Sequence, residues 1–198
     1  MSMRQTIRKI INEDNKMREP IRKIVRDIIT VFKFEDEGEF FLPEYFDDRD
    51  SMIYDFLGLN PFSVELIIDY GNYGVNAYYS RDDETIVVKI QYDEGDKNSI
   101  LYKLIGDLNE TVAHELRHIK QNKTGMFNLD VKEPDTPLEY YTQEHEIDSQ
   151  YFGFKRLSKL LRKPLEEIVK NWFETNREIH RLNDDEIEIV IDKILTHK

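Results

Sequence analysis

Near residue 95 the hydrophobic spacing of this chain changes from two to three-and-four. That change dictates a strand region followed by helices, an α+β chain. Val64, Leu66 and Ile68 alternate with other residues across 63–69, the pattern of a half-buried strand. Gly71-Asn72-Tyr73-Gly74 reads as a turn, 75–80 as a second strand, Asp82-Asp83 as another turn and 85–92 as a third strand. Three strands joined by short loops predict a small antiparallel meander. From residue 99 to 122 the apolar positions Ile100, Leu101, Leu104, Ile105, Leu108, Val112, Leu116 and Ile119 fall on one helical face.

Helices are also expected on both sides of this region. Residues 4–33 read as helix with a joint at Glu19-Pro20, since proline suits the first position of a new helix. Residues 34–62 read as irregular, with a short helix around 50–57. Pro137 or Leu138 begins a long helix to about Leu161, and Pro164 opens another to about Glu174. Asn183 is the expected N-cap of a last helix, 184–196. The expected organisation is an N-terminal helical and irregular extension (1–62), a core (63–163) and C-terminal helices packed on that core (164–198).

The segment that bears chemistry lies on the helix after the strands: Ala113-His114-Glu115-Leu116-Arg117-His118. Two histidines four apart on a helix point the same way, so both imidazoles can reach one ion. Glu115 projects beside that ion, where it can take a proton from a bound water. A chance match of this kind in such a chain has a probability of roughly one in a hundred. The chain has no cysteine, so disulfides, thiolate zinc sites and thiol catalysis are excluded. Any metal must be held by His, Asp and Glu.

A catalytic zinc takes a third protein ligand, and the expected source is the 138–161 helix. Glu146, Ser149 and Gly153 share one face, with small residues that permit close approach to the motif helix. Glu146 is therefore preferred. The alternative is Glu144 as ligand, with Asp148 orienting a histidine ring from behind. His145 falls off both stripes and reads as an exposed surface residue. Arg117 is expected to point away from the metal and pair with an acid.

His-Glu-Leu-Arg-His-Ile-Lys-Gln at 114–121, followed by Glu-Ile-Asp-Ser and Gly153 on the next helix, resembles the gluzincin branch of the zincin metallopeptidases. It is most similar to the small single-domain forms of phage and bacterial genomes. The resemblance covers about residues 63–160. It implies a zincin-like fold, in which a small antiparallel sheet packs on the motif helix and the third-ligand helix. It also implies Zn2+ held by His114, His118 and Glu146, and Glu115 as general base in peptide hydrolysis. The family's Glu-x-x-Ala signature places Ser149 where Ala is usual and Gln150 where Asp or Asn is common. It implies an edge strand that holds substrate, here 85–92 or 75–80. It implies an oxyanion-stabilising side chain as well, for which Tyr140, Tyr141, Tyr78, Tyr79 and His180 are candidates.

Two further readings stay open at the level of sequence. One is a non-catalytic zincin-like structural or interaction module, for instance phage-associated; the intact Glu115 speaks against it. The other is a helical regulatory protein whose basic start binds an acidic partner. Residues 1–33 hold nine Lys/Arg against four Asp/Glu, whereas the whole chain has a net charge of −12. That balance argues against a general nucleic-acid binder; the zincin resemblance implies a peptide or protein substrate as the partner. No signal peptide and no apolar run of about 18 residues is visible. The expected location is the cytoplasm, or the virion or host cytoplasm if the chain is phage-encoded.

Overall fold

Ile86, Val87, Val88 and Ile90 are all buried, which makes Thr85–Tyr92 a strand covered on both faces. A strand of that kind belongs in the interior of a sheet, and its place decides the topology. A computed structural model of the chain describes residues 3–46, 62–127 and 134–197, with side chains from residue 17 onward. The expected helix at 50–57 lies outside the described residues. The strands are β1 (Gly38–Phe41), β2 (Ser63–Tyr70), β3 (Gly74–Ser80) and β4 (Thr85–Tyr92), in the order β1-β2-β4-β3.

The antiparallel meander does not form; the sheet is mixed. β4 inserts between β2 and β3, parallel to β2 from Ser63↔Thr85 to Tyr70↔Tyr92 and antiparallel to β3. The physical reason is burial. β3 is only partly covered along its length and suits an edge, whereas β4 exposed at an edge would leave a β-branched apolar surface in water. β4 is therefore not an edge that could accept an added strand, and β3 is. β1, which pairs antiparallel with β2, falls in a stretch read from sequence as irregular. At four residues it is too short to show a period.

The chain separates into two compact units, Met1–Val112 and Ala113–Lys198. In the first, α1 (Met3–Phe34) runs through Pro20 without ending there. Met17, Ile21, Ile24, Ile28, Val31 and Phe32 of α1 are fully or almost fully buried. Their burial offsets the hydrogen bond that proline removes. Phe32 packs edge-on against Tyr92 with ring centroids 5.2 Å apart. Lys97 ties the end of α1 to the loop after β4, donating to Glu35 O and pairing with Asp36. A short α2 (Leu42–Tyr45) follows β1. The first part of α3 (Leu101–Thr124) belongs here, and Tyr73 donates to Asp107 on it at 2.6 Å.

In the second unit, the rest of α3 is followed by α4 (Pro137–Tyr141), α5 (Glu144–Leu161), α6 (Leu165–Thr175), α7 (Arg177–His180) and α8 (Asp184–Thr196). The single long helix expected from Pro137 to Leu161 is broken at Thr142-Gln143. Thr142 Oγ1 donates back to Leu138 O at 2.7 Å, and Gln143 is extended as the N-cap of α5. A threonine hydroxyl that bonds the preceding turn competes with helix continuation. Ile147, Phe154, Val169, Phe173, Val190 and Ile194 form the core of α5, α6 and α8. Asn183 caps α8 in a reciprocal capping box with Glu186. Among the described residues no helix is long and apolar enough to cross a membrane.

Candidate metal centre

His114 and His118 lie one turn apart on α3, and both rings turn to the same side. Their Nε2 atoms are 2.9 Å apart and their ring centroids 4.7 Å apart. The break before α5 sets the third group. Because α5 starts at Glu144, Glu146 lies in its first turn, where the helix dipole favours a carboxylate. Glu146 Oε1 is 3.3 Å from His118 Nε2, and Oε2 is 3.7 Å from His114 Nε2. One ligand atom from each of His114, His118 and Glu146 falls within 4.8 Å of the others. Glu144 is exposed and does not enter this group, whereas Glu146 is 5% exposed.

The donor chemistry suits a cation. Zinc accepts imidazole nitrogen at about 2.0–2.1 Å, and two nitrogens 2.9 Å apart can both meet one ion at that distance. Glu146 Oε2 is buried, and among the described residues no hydrogen bond reaches it. A buried carboxylate oxygen without a hydrogen bond bears a desolvation cost, which a cation held beside it would offset.

The protonation of the pair follows from its surroundings. Burial, and then the neighbouring charge of His118, push the His114 pKa down to about 3. For His118 burial works downward too, but the hydrogen bond and charge of Glu146, with Glu115 and Gln121, outweigh it and raise the pKa. Glu146 stays ionised. Burial opposes this, but the hydrogen bond and charge of His118 and the charges of His114 and His145 hold its pKa down. Two facing imidazole nitrogens cannot both hold a proton, and His114 is the one left neutral.

Glu115 is 6% exposed, and its Oε1 lies 3.9 Å from His114 Nε2. His145 is not the exposed surface residue that its helical position suggests. Its side chain is 14% exposed, Nε2 is 3.6 Å from Glu146 Oε1, and its ring centroid is 5.9 Å from that of His118. Side chains lean toward the N-terminus of a helix, and in the first turn of α5 that direction leads back over the cluster.

The five candidate hydroxyl or imidazole donors separate. Tyr140 is 40% exposed as a residue, but its hydroxyl end faces Glu146: desolvation there and then the charge of Glu146, with Tyr141 and Glu115 adding to it, push its pKa well up, so it keeps its proton. Tyr141 stacks edge-on against Phe173 and His180. His180 is 1% exposed and committed at both nitrogens, Nε2 to Phe173 O and Nδ1 to the Leu182 N–H. It is a core residue. Tyr78 and Tyr79 lie on β3, in the first unit.

Behind His118 lies a polar cluster that sequence reasoning missed in part. Arg117 does pair with an acid: it grips Asp148 in a bidentate pair, at 2.5 and 2.7 Å. Asp148 also accepts from Gln121 at 2.8 Å and lies 3.1 Å from His197 Nε2. Asp148 thus stands one residue removed from the histidine, with Gln121 between them. Gln121 follows His118 by three, the spacing at which helical side chains meet, and that spacing is the signal that could have found it. His197 has no local signal. No protein-family model, no curated protein and no solved structure matches the chain.

Proposed function

We propose that this chain is a zinc-dependent metallopeptidase of zincin-like architecture, with a peptide or protein as substrate. His114, His118 and Glu146 would hold Zn2+, and Glu115 would be the catalytic base. The observation that carries this reading is the convergence of three metal-competent atoms within 4.8 Å beside a buried adjacent carboxylate. Two imidazoles and one carboxylate are a donor set that zinc takes at catalytic sites, with a position left open. Bound there, the ion supplies Lewis acidity, which acidifies water and polarises a carbonyl.

The chain's own groups do the rest. Glu115, next to the first histidine, accepts the proton of the attacking water and returns it to the leaving amine. Tyr140 keeps its phenolic proton and can donate to the oxyanion that develops on the scissile carbonyl. Glu146 balances the charge of the ion from the N-terminal turn of α5.

The test is metal analysis of protein purified without added zinc, followed by hydrolysis of a mixed synthetic peptide library. The expected result is about one equivalent of zinc in the wild type and in Glu115→Gln, with hydrolysis lost by several orders of magnitude in the variant. Absence of zinc from the wild type would overturn the metal centre. Zinc loss or full activity in the variant would overturn the role of Glu115. Zinc without hydrolysis in the wild type would favour a metal-holding interaction module.

A further inference from the structure

Resting on the metal centre proposed above, we infer that Gln121 is its positioning residue, which fixes the tautomer and orientation of His118 and is itself locked by Asp148 and the backbone of His145. Gln121 is fully buried. Its amide nitrogen lies 2.8 Å from His145 O, 2.8 Å from Asp148 Oδ2 and 2.9 Å from Ser149 Oγ. Its amide oxygen lies 3.0 Å from His118 Nδ1.

The direction of every proton in this cluster follows from the groups that can only accept. A carbonyl and an ionised carboxylate have no hydrogen to give. The amide nitrogen of Gln121 must therefore face His145 O and Asp148, since a flipped amide would set oxygen against oxygen at both. Two amide hydrogens serve three acceptors, so one is shared with Ser149. The amide oxygen is then fixed toward His118, and because it can only accept, His118 Nδ1 must bear a hydrogen. A ring protonated at Nδ1 presents Nε2 to His114 Nε2 and Glu146 Oε1, 2.9 and 3.3 Å away. Nε2 is thereby the nitrogen left for the ion.

The carboxylate that locks Gln121 cannot turn away. Arg117 holds both of its oxygens, and His197, just beyond α8, lies against Oδ1. The connection runs from the last helix through Asp148 and Gln121 to the metal-facing ring, entirely within Ala113–Lys198. A ligating histidine whose outer nitrogen is bonded in this way is fixed in tautomer and ring plane, and loss of the partner typically weakens metal binding 10- to 100-fold.

A buried glutamine could instead do no more than join α3 to α5, and two variants separate the roles. Gln121→Met removes both the donor to Asp148 and the acceptor for His118. Gln121→Glu keeps an oxygen acceptor facing Nδ1, and its second oxygen, protonated beside the Asp148 carboxylate, keeps one donor in place of the amide's two. Zinc affinity is measured by chelator competition, and folding by urea denaturation of the zinc-free proteins. Both variants are expected to lose stability. Affinity should fall about 10- to 100-fold in Gln121→Met and stay within about threefold of wild type in Gln121→Glu. Equal affinities in Gln121→Met and wild type, or equal losses in the two variants, would overturn the inference.

A second measurement needs no variant. Nitrogen-15 spectra of histidine-labelled wild type, zinc-free at pH 8, are expected to show His118 protonated at Nδ1, and a ring protonated at Nε2 alone would overturn the assignment. Wild type that takes up no zinc would strike the metal centre and not this assignment, because the tautomer of the zinc-free ring is read independently.

Discussion

Replacing Arg117 by methionine tests the cluster behind His118 where it is most exposed to failure. Asp148 has a side chain 6% exposed and Arg117 one 15% exposed, so their bidentate pair is largely removed from water. The Asp148 pKa is held down even though burial works the other way, because the hydrogen bond and charge of Arg117 lead the groups that outweigh burial. Removing one partner of a buried pair leaves an uncompensated charge and costs about 3–5 kcal/mol. Here Asp148 keeps Gln121 at 2.8 Å and His197 at 3.1 Å, which places Arg117→Met near the lower end, about 3 kcal/mol. With a urea slope of about 1–3 kcal/mol/M, the midpoint should fall by about 1–3 M.

The assay is built into the chain. Its one tryptophan, Trp172, lies against Phe154 and Phe173 in the core of the second unit. Its fluorescence reports the unfolding of the unit that holds the pair. Denaturation is followed in a metal chelator, so that ligand binding adds nothing to the measured stability. The double variant Arg117→Met with Asp148→Leu supplies the control. If the cost lies in the stranded charge, the doubly apolar site should recover most of the loss, short by about 1 kcal/mol for the bond that Gln121 gives up. A loss below about 1 kcal/mol in Arg117→Met, or a double variant no better than the single, would refute the reasoning.

Burial raises the Asp107 pKa in the folded chain, against the Tyr73 hydrogen bond and the Lys103 charge. A raised pKa means that the folded state binds the proton more tightly, so this group's contribution is present at low pH and is lost as pH rises through the folded value. Asp107→Asn keeps an acceptor for Tyr73. Circular dichroism in urea should show it at least as stable as wild type at pH 7, with wild type gaining on it at pH 4. Asn183→Ala removes the acceptor for the Glu186 N–H and should cost about 1 kcal/mol by Trp172 fluorescence, whereas Asn183→Gly should cost only a few tenths.

The legible parts of the fold are those with a local cause. Asn183 and Glu186 announce the start of α8 because a capping box is built from neighbours in sequence. The bounds of β4 follow from its composition, and its interior place could have been read there too. Ile86, Val87 and Val88 run without alternation, which marks a strand buried on both faces, while turn length alone suggested a meander. The break at Thr142-Gln143 was not legible, since neither residue is a strong helix breaker and the cause is one hydroxyl bonding back to Leu138. The same division holds at the candidate site. A four-residue spacing brings His114 and His118 together by helix geometry, and the small face around Ser149 favoured Glu146 over Glu144. His197 and Asp148, 49 residues apart, share no period that sequence could display.

Ser149 shows how the two levels combine. Under the zincin-like reading this position is usually alanine, and from sequence a serine there is a mild departure. In place, its hydroxyl is fully buried, 2.9 Å from the Gln121 amide nitrogen and 3.3 Å from His118 Nδ1. A buried hydroxyl without partners would be destabilising, and here Gln121, with His118 Nδ1 beyond it, supplies them. The dependence does not run the other way. With alanine at 149, the two amide hydrogens of Gln121 would still have Asp148 and His145 O to meet, and the amide oxygen would still face His118. The orientation of the ring therefore rests on the carboxylate and the carbonyl, the two groups that cannot donate. The hydroxyl, which can do either, adapts to a direction already set.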